Sequence, residues 1–267
     1  MKRVLVIGSE GYVGSQLVAN IAGEVNVVAC DLKTGMDYLD IQTSVLAAFD
    51  EILFFAGTSN VADAKMEPAR AIAENVVFPL SLLERIKPHT RLIYASTGSL
   101  LSKRDTSPSV IADEQRENAY DASKLSFDLV AKYMGKRVVG LRMGTVSGWS
   151  PRMRWHLIFN AMNRSAIEQG VVRVTNPSAM RSILFHDDLA DRILEIMDDD
   201  QVQGLIPVAS YSLTIGELAH EVAHAHKVPV AFDEDDGTYS FSLPTIPQLF
   251  SLAERCQHFK RAYETNY

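Results

Sequence analysis

The sequence predicts an α/β fold: a doubly wound parallel sheet covered by helices on both faces, followed by a small C-terminal lobe. Three observations predict it. Short apolar runs rich in Val, Ile, Leu and Phe alternate with longer stretches of helical spacing, and strands that are apolar throughout need covering on both faces, which crossover helices supply. The first run, RVLVI, leads straight into three glycines and an amphipathic segment. A chain of 267 residues, 47% hydrophobic and 22% charged, is also long and apolar enough to bury a full core.

RVLVI, VNVVA, EILFF, RLIY and VVGLR read as buried strands, with helical stretches over 12–22, 62–87 and 119–134. The link from Gly35 to EILFF is compressed to MDYLDIQTSVLAAFD. After Arg142 the texture changes. GTVSGWSPRMRW is turn-like, a helix is expected over about 153–169, and the strand GVVRV follows. RSILFHDDLADRILEIM, a strand near LIPVA and a helix from Thr214 complete the pattern. The expected division is a core of residues 1–150, rejoined by a segment at about 171–200, and a lobe made mostly of 151–267. The acidic runs DDD (198–200) and DEDDG (233–237) read as solvated loops without calcium-loop spacing.

A net charge of −7 gives no general attraction for nucleic acid or an anionic membrane. The apolar run VLVI near the N-terminus is too short for a signal peptide or a membrane span. Cys30 and Cys256 form no disulfide framework, and Cys30, within VNVVAC, reads as a small buried hydrophobe. On these grounds the chain reads as cytoplasmic.

VLVIGSEGYVGSQLV spaces Gly8, Gly11 and Gly14 as G-x-x-G-x-x-G between a strand and a helix. Positions without side chains let the chain turn tightly and let a pyrophosphate approach the backbone N–H groups of a helix N-terminus. Gly14 allows the helix to pack closely on the strand. Asp31, after the second strand, can accept both hydrogen bonds of an adenosine ribose and repels a 2′-phosphate, so the expected cofactor is NAD rather than NADP; Lys33 is the neighbour that argues the other way. Tyr12, Val13 and Leu32 are expected to share that cofactor surface.

Taken in order, nine segments resemble the extended short-chain dehydrogenase/reductase family, the NAD-dependent sugar epimerases and dehydratases. They are GSEGYVG (8–14), Asp31, DI (40–41), FFAGTS (54–59), EPARAIAENVVFPL, YAST (94–97), YDASK (120–124), LRMGTVSG (141–148) and RSILFHDDLA (181–190). Within the family the chain is similar to the UDP-galactose 4-epimerase-like proteins. The resemblance implies a Rossmann-like core, a substrate-binding lobe and a homodimer formed through the helices at 62–87 and 119–134. It implies that Asp40 and Ile41 lie against the adenine, that Phe55, Ala56 and Gly57 line the nicotinamide side, and that Asn75 steadies the cofactor loop. Thr97 falls at the family's catalytic Ser/Thr position, with Ser96 just before it.

Tyr120 and Lys124 are four apart, so on a helix they project from one face. A tyrosine with a pKa of about 10 is a poor base, but a neighbouring ammonium and a cationic nicotinamide favour its phenolate. Tyr120 can then take the proton of a substrate hydroxyl as its carbon gives up hydride, while Thr97 orients the oxygen and Lys124 holds the nicotinamide ribose. Family 4,6-dehydratases carry an Asp-Glu pair directly after the Thr; Gly98 and Ser99 stand there, which argues against dehydration.

For substrate binding, the resemblance matches Arg181 to an arginine that grips a nucleotide-sugar diphosphate, a role suited to a bidentate guanidinium. Thr58 and Ser59 can face the substrate. Thr145 replaces the usual Asn, Ser147 a frequent Tyr, and Arg152 and Arg154 are candidates for an anionic group. HEVAHAH (220–226) contains the zinc-protease spacing, but Thr214 with Glu217 forms a capping box that starts an ordinary helix, so no metal is expected. The expected activity is that of an NAD-dependent epimerase or oxidoreductase acting on a nucleotide sugar. The alternatives are a dehydrogenase or reductase of a free sugar or sugar acid and, from another class, a non-catalytic NAD-sensing regulator.

Overall fold

The computed structural model describes residues 1–101, 118–233 and 240–267. In chain order come β1 (Arg3–Ile7), α1 (Tyr12–Ile21), β2 (Asn26–Cys30), α2 (Thr43–Leu46), β3 (Glu51–Phe54) and α3 (Val61–Met66). Next are α4 (Pro68–Ile72), α5 (Phe78–Arg85), β4 (Arg91–Thr97), α6 (Ala119–Ala131), β5 (Arg137–Met143) and β6 (Thr145–Ser147). The chain continues with α7 (Ile158–Gln169), β7 (Val172–Val174), β8 (Met180–Phe185), α8 (His186–Asp198) and β9 (Gly204–Val208). It ends with β10 (Tyr211–Thr214), α9 (Ile215–His226), β11 (Val230–Phe232) and α10 (Leu252–Asn266).

Six strands form the main sheet in the order β2-β1-β3-β4-β5-β9, and every neighbouring pair is parallel. The two-residue period of a strand divides β1 between two cores. Val4 and Val6 pack with Leu17 and Ile21 of α1 and with Leu189 and Ile193 of α8. Leu5 and Ile7 pack with Leu82 and Leu83 of α5 and Phe127 of α6. Both faces of the sheet are therefore covered, as the continuously apolar runs require. A buried ion pair fixes the opposite end of the sheet from the glycine turn: Arg91 donates to both carboxylate oxygens of Glu51, at 2.9 and 2.8 Å, and to the carbonyls of Ile196 and Asp199 at the C-terminal end of α8.

A third core, including Phe159, Met162, Val172, Ile183, Phe185, Leu218, Val222 and Phe259, builds the lobe. Its strands form a sheet of order β10-β8-β6 and the separate parallel pair β11-β7. The return to the main sheet therefore differs from the expected 171–200. GVVRV supplies β7, which pairs with β11 inside the lobe, and α8 with β9 make the return. Three-residue strands carry too little pattern to reveal their partner.

Two helices differ from expectation. The stretch at 62–87 is broken at Glu67, whose φ of −130° and ψ of 66° precede Pro68, and it passes through a wide π turn at Ala73–Val77. Proline disfavours helical geometry in the residue before it. The helix expected from residue 153 starts at Ile158, because the preceding segment bonds outward to α1: Ser150 Oγ donates to the Tyr12 carbonyl at 3.0 Å. The acidic run at 233–237 lies outside the described residues after Asp233.

Candidate active site

The carboxyl ends of β1 to β5 open onto a single cleft of about 550 Å³. Strand order reverses around β1, whose neighbours are β2 and β3; a crevice outside such a switch point is where open α/β sheets hold ligands.

One end is the glycine turn. A Cβ on Gly14 would stand 2.0 Å from the Gly8 carbonyl oxygen, so only glycine lets α1 lie this close to β1. Gly8 has a φ of +87°, and a Cβ there would meet the Ala56 nitrogen at 2.6 Å. Gly8, Gly11, Tyr12 and Val13 stand in the cleft wall, with Gly14 packed behind them. Asp31 braces the turn from the end of β2: one carboxylate oxygen accepts from Glu10 N–H and the other from Lys33 N–H, each at 2.9 Å. Each oxygen keeps a lone pair for another donor. Leu32 and Lys33 continue the wall.

Asp40 and Ile41 do not line the cleft; Asp37, Tyr38 and Leu39 do. The cause is a turn, with Asp40 N–H bonded to the Asp37 carbonyl and Ile41 N–H to the Tyr38 carbonyl. Arg85 holds it from behind by donating to the carbonyls of Leu39 and Ile41.

Phe55, Ala56, Gly57 and Ser59 form the wall after β3. Thr58 is buried and does not itself line the cleft; it donates to Glu74, which does, at 2.8 Å. Asn75 is buried, and its amide donates to the Thr58 carbonyl and to Ser123 Oγ, each at 2.9 Å. It thus ties the loop after β3 to α6. Gly57 adopts a φ of +103°, where a Cβ would meet Asn75 Oδ1 at 2.5 Å.

Thr97, Tyr120 and Lys124 face the far end of the same cleft. Asn118 caps α6 by accepting from Asp121 N–H, so the first turn that carries Tyr120 is fixed. The Lys124 ammonium lies 5.9 Å from the centre of the Tyr120 ring. Burial pulls the Lys124 pKa down to about 8, against the opposing pull of the Asp128 carboxylate.

Asp128, one turn along α6, was not foreseen. It accepts from Tyr94, from Ser96 and from Arg142, and burial raises its pKa against those bonds. Its signal was a carboxylate four residues after the lysine, on the same helix face. Ser96 lines the cleft with its hydroxyl committed to Asp128 at 2.9 Å. Thr97 Oγ1 lies 2.8 Å from Ser99 Oγ, which donates to Asp121 at 2.6 Å.

On the lobe side, Met143, Thr145, Arg154, Leu157 and Phe241 complete the wall. Arg181 does not belong to it. It is 7% exposed, donates to the Met180 carbonyl and lies over the Phe241 ring at 5.7 Å. On α9, the Thr214–Glu217 capping box is present and His220, Glu221 and His224 lie exposed.

Residues 4–208 match the model of the NAD dependent epimerase/dehydratase family. The chain belongs to this family. Over 172 residues it is 29% identical to a UDP-glucose 4-epimerase of Corynebacterium glutamicum, covering 55% of this chain and 52% of that one. It is 29% identical over 149 residues to a UDP-glucose 4-epimerase of Streptomyces lividans, covering 47% and 45%. The match thus spans about half the length of these curated relatives. Among solved structures, the family member here resembles the UDP-N-acetylglucosamine 4-epimerase of Methanobrevibacter ruminantium M1 in complex with UDP-N-acetylmuramic acid. That likeness has a TM-score of 0.79 at 21% identity and covers 100% of this chain and 99% of that one. The UDP-glucose 4-epimerase of Thermus thermophilus complexed with NAD gives a TM-score of 0.73 at 19% identity, covering 97% and 99%. At these identities the likeness establishes the fold.

Proposed function

We propose that this chain is an NAD-dependent epimerase acting on a nucleotide sugar, which oxidises a sugar carbinol carbon and reduces it again from the other face. The observation that supports this most is that the glycine turn and Asp31 wall the same cleft as Thr97, Tyr120 and Lys124. Family membership and the UDP-sugar epimerases among its relatives support it further.

The residues fit the cofactor. The turn is free of side chains, the first amides of α1 have no side-chain cap, and Asp31 keeps lone pairs for ribose hydroxyls. NAD, when bound, supplies the hydride acceptor. Tyr120 takes the proton from the carbinol oxygen as its carbon is oxidised and gives it back on reduction. Lys124, while protonated, favours the phenolate.

Hydrogen-bond direction assigns Thr97. Ser99 has one proton and gives it to the Asp121 carboxylate, so the contact between Thr97 and Ser99 uses the proton of Thr97. Thr97 Oγ1, which already accepts from Ser99 N–H at 3.3 Å, is then left as an acceptor for a substrate hydroxyl other than the one whose proton Tyr120 takes. Gly98 and Ser99 supply no acid–base pair for water removal, which supports return of hydride to the same carbon rather than to another carbon after loss of water. In this reading the core, 1–150 rejoined by α8 and β9, holds the cofactor, and the lobe holds the sugar. The protein acts as a homodimer through α3, α4 and α6, where Met66, Ile72, Leu125 and Leu129 stand exposed.

Tyr120→Phe tests the reading. With UDP-glucose and UDP-galactose as probes, turnover drops by about a hundredfold or more while NAD+ affinity stays near that of wild type. A variant that keeps full turnover contradicts the role of Tyr120.

A further inference from the structure

Among the described residues, four cationic side chains stand in the cleft wall: Lys33, Arg70, Lys124 and Arg154. Arg70 is paired with both Glu67 and Glu74 at 2.7 Å. Lys124 sits beside Tyr120, and Lys33 lies at the Asp31 end with its ammonium 3.5 Å from the Glu10 carbonyl. Arg154 differs from Arg70 in having no carboxylate partner among the described residues, and from the two lysines in presenting a planar fork of donors. From the lobe its guanidinium reaches the loop after β3, donating to Ser59 Oγ at 3.0 Å and to the Ser59 carbonyl at 3.3 and 3.4 Å. A planar fork of five donors is poorly used by one hydroxyl and one carbonyl at such lengths.

The segment that carries Arg154 is pinned to the glycine turn. Tyr12 donates its hydroxyl proton to the Gly148 carbonyl at 2.9 Å, and Ser150 Oγ donates to the Tyr12 carbonyl at 3.0 Å. Arg152 pairs with Glu10, between the first two glycines, at 2.7 Å. Arg154 is thereby presented to the cleft from the lip opposite Ser59, close to the first turn of α1. Arg181, the arginine that the resemblance assigns to a diphosphate, is not among the described wall residues; it donates to the Met180 carbonyl and lies over the Phe241 ring.

We propose that Arg154 is the diphosphate-binding arginine of this cleft, exchanging its Ser59 contacts for the non-bridging oxygens of a diphosphate between the glycine turn and the lobe. The proposal rests on the reading above, in which both NAD and a nucleotide sugar bring such a group. A guanidinium meets two phosphate oxygens with two parallel charge-assisted bonds, stronger than its present contacts to neutral Ser59.

Calorimetric titration of the full chain tests it in two arms: NAD+ added to protein stripped of nucleotide, and UDP added to protein saturated with NAD+. Arg154→Ala is expected to weaken NAD+ or UDP by about tenfold or more, with Arg154→Lys recovering part of the loss. The unfolding midpoint without ligand should not change. A loss confined to NAD+ assigns the cofactor's diphosphate to Arg154; one confined to UDP assigns the substrate's. If Arg154→Ala binds both as tightly as wild type, or if Arg181→Ala reproduces the same losses and Arg154→Ala does not, the proposal is overturned. Wild-type protein that binds no NAD+ would instead contradict the cofactor reading itself.

Discussion

Lys124 is the residue on which the chemistry and the stability of the site meet. Its ammonium gives up a proton near 8 in the folded chain, against an ordinary value of 10.5. Between those values the unfolded chain binds more protons, so wild-type stability rises with pH across that window. Below pH 8 the buried charge costs the fold up to about 3 kcal/mol. Lys124→Met should therefore unfold at a higher temperature than wild type at pH 7, and the difference should shrink as pH passes from 8 toward 10.5. A difference that does not change with pH in thermal scans would show that Lys124 is not desolvated. At this scale the pair Tyr120–Lys124 was legible because helix spacing alone puts both on one face. Asp40 and Ile41 were misplaced because the motif gives no sign of the turn at Asp37–Ile41 that presents Asp37 and Leu39 in their stead. Arg181 stands outside the described cleft wall, over a Phe241 ring that lies 60 residues away in the chain and that the motif does not reveal.

Among the elements, the β1-to-α1 junction is the least tolerant. Gly14 is helical, so the penalty for a side chain there is contact rather than backbone strain: its Cβ would lie 2.0 Å from the Gly8 oxygen. Gly14→Ala should cost about 2–4 kcal/mol in denaturant unfolding and abolish NAD+ binding, because α1 must move off the turn. A variant that keeps both stability and affinity would mean the junction can spread freely. The glycine spacing made this element readable. Helix ends were less so: Pro68 announces a break only if the preceding residue cannot stay helical, and the delayed start of α7 depends on Ser150 bonding to α1 and Arg152 to Glu10 in the glycine turn.

For the whole molecule, strand–helix alternation conveyed the parallel sheet, since a buried strand must be apolar on both faces whatever its neighbours. The lobe was not legible in the same way. Val172–Val174 pairs with Val230–Phe232 and Met180–Phe185 with two further strands, and such non-local pairing of short strands leaves no periodic trace. The exposed apolar residues on α3, α4 and α6 lead to a prediction at this scale. The wild-type chain should elute as a dimer in light-scattering chromatography, and Leu129→Glu, at a position 49% exposed in the single chain, should shift it toward monomer. A wild-type monomer at micromolar concentration would contradict the proposed interface.

The most direct test of the central claim is the nucleotide content of the purified protein, released by denaturation and measured by absorbance and mass. An epimerase that regenerates its cofactor in place should release roughly one NAD(H) per chain. A protein that releases no nucleotide and does not bind added NAD+ would contradict the account.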